Sequence, residues 1–367
     1  MRLRATVLFA MVAMVGATTS NARADDCGPL KLLTSVDLTP LPGGRMLVPV
    51  TINGVPKKML LGTAGDFTTL NAALVKELNL NALITRRAKL IDSAGNASRM
   101  YVHAQSFQIG TLEGKDFPFL ITPDPITGES AAFDGILAGD VMAHYDVEMD
   151  FATGKMSIFS QDHCPGRVVH WPASVVAVVP FQERGPLPAG LDEQRRRFAE
   201  HQDFHIRVPV SLDGKNFLAT INTGSPLSTI SAGVAKYEFG ITADSPGSVP
   251  LGLVDRDPDQ KVFGHTFSSL TLDGVAVANP RFAILPDLAG SKDPDNNLLA
   301  GSRTQHVDDG IVSQITIGMD VLRRLHIYVA FDERKLYITP ATQRASDAAT
   351  PAGSALAAAA SPSAPGP

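Results

Sequence analysis

The sequence predicts an all-β protein with minor α content, built from two copies of one unit. Three observations predict it. The apolar residues fall in short Val-, Ile- and Thr-rich runs of strand length. Several runs alternate with period two, as in Phe204, Ile206, Val208, Val210 and Leu212 set between His205, Arg207, Pro209, Ser211 and Asp213. The chain also matches itself. A shift of 160 residues lays Val48-Pro49-Val50 on Val208-Pro209-Val210, Gly54 on Gly214, Thr63 on Thr223, Thr69 on Thr229, Ala72 on Ala232 and Lys76 on Lys236 without a gap. The 367 residues, 44% of them hydrophobic and 19% charged, supply two packed cores. A net charge of -5 offers no basic face, so no nucleic-acid partner is expected.

Taken in order, residues 1–24 read as a signal peptide. Arg2 and Arg4 form a positive start, residues 5–17 an apolar stretch, and Ala22-Arg23-Ala24 a small-x-small cleavage site. The stretch is too short to be a good span, so no stable membrane insertion is expected after cleavage. The expected location is periplasmic or secreted. Cys27 and Cys164 are the two cysteines and bracket the first copy, residues 25–165. In an oxidising compartment an even pair favours a disulfide, worth about 4–5 kcal/mol for so long a loop; two free buried thiols are the other reading.

Each copy opens with a strand that ends in a hairpin signal, Asn53-Gly54 or Asp213-Gly214, and returns through Met59-Leu60-Leu61 or Phe217-Leu218-Ala219. A tight polar loop follows, then a short helix capped by Asn71 or Ser231. Further on, Pro118-Phe119-Leu120-Ile121 matches Arg281-Phe282-Ala283-Ile284. At an offset of 180, Asp140-Val141 matches Asp320-Val321 and Phe151 matches Phe331. The added residues of the second copy, between 287 and 310, read as a polar surface loop. Residues 166–203 hold the first strand of the second copy and a linker insertion, and residues 204–341 the rest of that copy. The Ala-, Ser- and Pro-rich tail, 342–367, is expected to be disordered.

The order of strand, Asn/Asp-Gly hairpin, apolar strand, Thr-Gly-type loop, short helix and apolar-Gly-x-Asp segment resembles the retropepsin-like, clan AA aspartic peptidases. The residues that carry the resemblance are Ile221-Asn222-Thr223-Gly224-Ser225 and Ile317-Gly318-Met319-Asp320. Their first-copy counterparts are Leu61-Gly62-Thr63-Ala64-Gly65 and Leu137-Ala138-Gly139-Asp140. The resemblance implies two acid-protease lobes related by a pseudo-two-fold axis, with the 62–65 and 222–225 loops meeting at the centre. It also implies a chemistry. Two carboxylates share one proton and act as general base and general acid on a water. The threonine of the motif would hold the two loops together.

Both aspartate positions are replaced, by Gly62 and Asn222. A glycine brings no side chain, and a carboxamide cannot take up and return a proton in this pH range. The expectation is therefore a pseudo-protease with no intact catalytic residue. Thr63, Ala64, Gly65, Thr223, Gly224 and Ser225 would shape an inter-lobe cleft that binds a peptide or protein. The alternative is an active aspartic endopeptidase using non-standard acids, and a third reading is a cell-envelope structural protein. The double change Gly62→Asp with Asn222→Asp is expected to restore both acids. Asp66 reads as an exposed loop or cap residue, and Asp140 and Asp320 as N-caps of short helices. Residues 93–98 and 255–260 read as flap loops. No cofactor and no metal site are expected, because the nine histidines are scattered and none has zinc-ligand spacing.

Overall fold

The hairpin signals are the clearest local instructions in the chain, and both are obeyed. In the computed structural model Asn53 and Gly54 take φ of 51° and 79°, and Asp213 and Gly214 take 46° and 80°. Two consecutive positive φ values make the tight turn that suits the twist of the flanking strands. Strand Met46–Ile52 thereby pairs antiparallel with Val55–Leu61, and Arg207–Leu212 with Lys215–Ile221. The second copy's first ladder starts at Arg207 rather than Phe204, because Phe204 instead packs against Gly139 of the first lobe. An added Cβ on Gly139 would come within 2.3 Å of the Phe204 Cβ.

The structure describes residues 27–85, 90–91, 97–122, 132–182, 204–253, 261–287, 303–304 and 314–341. The signal peptide, the linker from 183, the tail, residues 255–260 and most of 93–98 and 287–310 lie outside the described residues. Within 287–310, Arg303–Thr304 is a short strand rather than surface loop. It pairs antiparallel with Leu90–Ile91 of the first lobe.

Each lobe is a curled sheet, eight-stranded in the first and nine-stranded in the second. A six-stranded sheet ties them together. Its centre is the antiparallel pair Asp146–Asp150 and Leu325–Ala330, one strand from each copy, with Glu148 opposite Tyr328. Lys155–Phe159 and then Leu32–Asp37 flank one side. Lys335–Pro340 and then Ala177–Pro180 flank the other. The 180-residue offset makes Glu148 and Tyr328 equivalent, so the pseudo-two-fold axis passes between them. The fold class is therefore the expected one, all-β with minor α, in two related lobes.

Strand alternation decides which faces are dry. Val147, Met149, Ile327, Val329, Leu336 and Ile338 of the six-stranded sheet join the main core, which runs continuously through both lobes. The opposite face carries a smaller cluster of Phe159, Val168, Tyr328, Ala330 and Tyr337. Residues 162–172 lie across that face, and the Cys27–Cys164 disulfide anchors them, with Cα atoms 4.8 Å apart and 137 residues between the partners. The disulfide reading of the two cysteines holds. Of the two expected helix caps, Ser231 Oγ accepts from the Val234 amide at 3.3 Å. Asn71 occupies the cap position of Ala72–Glu77 without capping it, because its amide donates to the Phe133 carbonyl instead.

Candidate functional site

The two motif loops sit where strand ends cross. Strands Val55–Leu61 and Gly135–Leu137 run parallel, as do Lys215–Ile221 and Ile315–Ile317. The chain leaves each pair on matched bonds. The Gly62 amide donates to the Leu137 carbonyl and the Asn222 amide to that of Ile317, both at 2.9 Å. The Gly139 amide donates to the Gly65 carbonyl and the Met319 amide to that of Ser225, again both at 2.9 Å. Two sequences with little identity thus build one loop geometry.

The loops grip each other across the axis. Thr63 and Thr223 are 1% and 0% exposed. The Thr63 amide donates to Thr223 Oγ1 and the Thr223 amide to Thr63 Oγ1, each at 3.1 Å. Each hydroxyl then donates to the facing chain, Thr63 to the Ile221 carbonyl at 2.7 Å and Thr223 to the Leu61 carbonyl at 2.8 Å. Four buried bonds therefore close a symmetric clasp. Gly224 lies against the partner loop: a Cβ there would sit 3.2 Å from Asn222 Oδ1 and 3.7 Å from the Gly62 Cα.

Asn222 is 4% exposed, and its Oδ1 accepts from the Gly224 amide at 2.9 Å. Its oxygen is thereby turned into the loop, so the amide group is held rather than swinging. Gly62 is more than a missing side chain. A Cβ at that position would meet Ile136 Cγ2 at 2.7 Å. Ile136 belongs to a small apolar cluster with Leu47, Leu60 and Phe133 on the sheet face away from the main core. An aspartate at 62, as in the expected restoration of the acid pair, requires Ile136 to move.

Three further carboxylates are placed differently from expectation. Asp66 is neither exposed nor a cap. It is 2% exposed, and its Oδ1 lies 3.2 Å from Nδ1 of His205, which is also buried and belongs to the second lobe. Asp140 and Asp320 are not N-caps, since Ala138 and Gly318 hold those positions. They sit in the first helical turn and accept from the other strand of the motif. Asp140 takes the Thr68 amide at 2.9 Å and the Thr68 hydroxyl at 2.5 Å. Asp320 takes the Ser228 amide at 2.8 Å and hydroxyl at 2.7 Å. The same hydroxyls accept from the Ala138 and Gly318 amides. Burial raises both carboxyls to about 6, opposed by these hydrogen bonds. A signal for these partners lies in the self-comparison, where Thr68 and Ser228 share the 160 offset and the two aspartates the 180 offset, although the repeats alone do not show that they bond.

With this geometry in hand, comparison with known proteins is direct. Residues 48–141 match the aspartyl protease family model. That span begins in the first hairpin, contains the 62–65 loop and ends one residue past Asp140. The matching region lies in the first lobe, and the central loop of the second repeats the backbone bonds of its counterpart. An aspartic proteinase from Irpex lacteus is similar in fold. The likeness covers 85% of this chain and 98% of that one at a TM-score of 0.50, with 11% identity. Comparison with curated proteins finds no match. Among the described residues no group of three or more His, Cys, Asp or Glu is arranged to hold a metal ion, and no helix is long and apolar enough to cross a membrane.

Proposed function

We propose that this chain is an aspartyl-protease-like protein with a catalytically silent centre that binds a peptide or protein in the cleft between its lobes. The observation that carries the proposal is the identity of the two central residues. Gly62 and Asn222 stand where the shared-proton carboxylates of an acid protease stand. Water activation needs one ionised acid and one protonated acid at this point. The amide of Asn222 supplies neither. The other nearby carboxylates are committed elsewhere, Asp66 to His205 and Asp140 and Asp320 to the Thr68 and Ser228 hydroxyls. The threonine clasp, which serves lobe assembly rather than proton transfer, is intact, as a retained binding cleft requires. An oxidised Cys27–Cys164 pair and the leader-like first 24 residues support the periplasmic or secreted reading.

The test is a proteolysis assay of the purified protein on a mixed peptide library, from acid to neutral pH, with retained peptides analysed in parallel. The expected result is saturable retention without cleavage. Cleavage with an acidic bell-shaped pH profile, abolished by Asn222→Ala, overturns the silent centre in favour of an endopeptidase that uses other acids.

A further inference from the structure

The outer face of the six-stranded sheet holds a set of titratable groups with no part in the central loops. Asp146 is fully buried and lies 2.7 Å from Nε2 of His163, whose side chain is 3% exposed. Asp146 also accepts from the Tyr328 hydroxyl at 3.3 Å and the Phe331 amide at 3.0 Å, both in the second lobe. Glu148 lies 2.8 Å from Nε2 of His326 and 3.7 Å from Nε2 of His170. Trp171 stacks on His326, with centroids 3.9 Å apart and planes 14° from parallel, and donates to Thr339 Oγ1 at 3.0 Å. Glu333 accepts from the Gly166 amide, the Tyr337 hydroxyl and Lys335.

These contacts share one geometry. Residues 162–172 form a strap, covalently fixed to the first lobe at Cys164, which crosses the seam and is held on the second lobe by Glu333, His326 and Thr339. His163 faces an acceptor at each ring nitrogen: Asp146 at Nε2, and the Cys164 carbonyl at Nδ1, 3.2 Å away. His170 differs: its Nδ1 lies 3.2 Å from the Val168 carbonyl, but Glu148 stands 3.7 Å from its Nε2, beyond hydrogen-bond reach. A neutral imidazole has one N–H and satisfies one acceptor; only the imidazolium satisfies two. We propose that this strap is a pH-sensitive clamp between the lobes, acting through His163 and the seam carboxylate Asp146, tight when His163 carries a proton on both ring nitrogens and loosened when it loses one.

The electrostatics of the buried pair have the same sign. Burial works against a charged His163, but the bond to Asp146, the Cys164 carbonyl and the charges of Asp146 and Glu333 outweigh it, and its pKa lies above the ordinary 6.5. The contribution is therefore fully present below about 6.5 and lost as pH rises through the folded-state value. Deprotonation leaves Asp146 buried beside a ring with one hydrogen too few. At Glu148 the facing groups are His326 and His170.

Amide hydrogen exchange on the intact, oxidised protein tests the clamp, measured across residues 163–171 at about pH 5.5 and pH 8 and corrected for intrinsic rates. The expected result is a loss of strap protection at the higher pH that exceeds any loss in strand Arg207–Leu212, which reports global opening, by about tenfold or more. Strap protection equal at both pH values in the unmodified protein overturns the proposal. So does protection that falls equally in Arg207–Leu212, since the change would then be global.

Discussion

Two residue pairs define the centre, and they respond to change in different ways. Thr63 and Thr223 each make bonds that the other's backbone needs. Replacing Thr63 with the isosteric valine removes the acceptor of the Thr223 amide and the donor to the Ile221 carbonyl, leaving two buried groups unpaired. The expected cost is about 2–4 kcal/mol, measured by urea unfolding. The Thr63→Val/Thr223→Val double variant should fall short of the sum, because the two residues form one unit. At the other pair, Asn222→Asp should fold normally, since a carboxylate accepts from the Gly224 amide as the carboxamide does. Gly62→Asp alone should lose about 1–3 kcal/mol to the Ile136 clash. The triple variant Gly62→Asp/Asn222→Asp/Ile136→Ala should regain part of that loss and acquire acid-range peptide cleavage. The failure of a folded triple variant to cleave would show that more than the acids has been lost. Gly62 and Asn222 were legible in the sequence because each lies inside a contiguous loop that repeats at a fixed offset. The Ile136 obstruction was not, because it arises from a strand distant in sequence that runs parallel to the loop's own. Asp66 was misjudged for the same reason: its partner, His205, comes from the other lobe.

At the scale of elements, the strands and hairpins followed from period two and from Asn-Gly and Asp-Gly, both local signals. The misreading of Asp140 and Asp320 shows the limit of local signals. An aspartate before an apolar run is an ordinary cap pattern, yet here each helix starts two residues earlier. The carboxylate instead reaches across to the strand that carries Thr68 or Ser228. The clamp joins the helix to the chain beyond the central loop, so it fixes the loop's exit in both lobes. Asp140→Ala removes the acceptor of the buried Thr68 amide and hydroxyl and should cost about 2–4 kcal/mol, with Asp320→Ala costing a similar amount in the second lobe. Thermal unfolding followed by circular dichroism checks both. A loss within experimental error for either would mean that water replaces the carboxylate there.

At the scale of the molecule, several buried acids and one buried histidine have pKa values shifted in the same direction. Asp140 and Asp320 rise from 3.8 to about 6, and Asp146 is raised too, all mainly by burial; His163 is raised by Asp146. The folded state therefore binds more protons than the unfolded chain from about pH 4 upward, and stability falls as pH rises through about 6 and past the His163 value. Glu333 has the opposite sign. Burial pushes it up, but Tyr337, Gly166 and Lys335 hold it below its ordinary 4.5, so its contribution is lost as pH falls through the folded-state value. The midpoint of thermal unfolding should be higher near pH 5 than near pH 8, measured by calorimetry across that range. A higher midpoint at pH 8 would contradict these shifts. The seam between the lobes has a different kind of consequence. The strand of the first copy carries Asp146, Glu148 and Asp150, while the equivalent strand of the second carries His326, Tyr328 and Ala330. A pair of first lobes joined through the same register would set Glu148 against Glu148 and each Asp146 against an Asp150, a line of like charges facing one another. The halves are plug and socket: a stray first lobe has no second first lobe to marry.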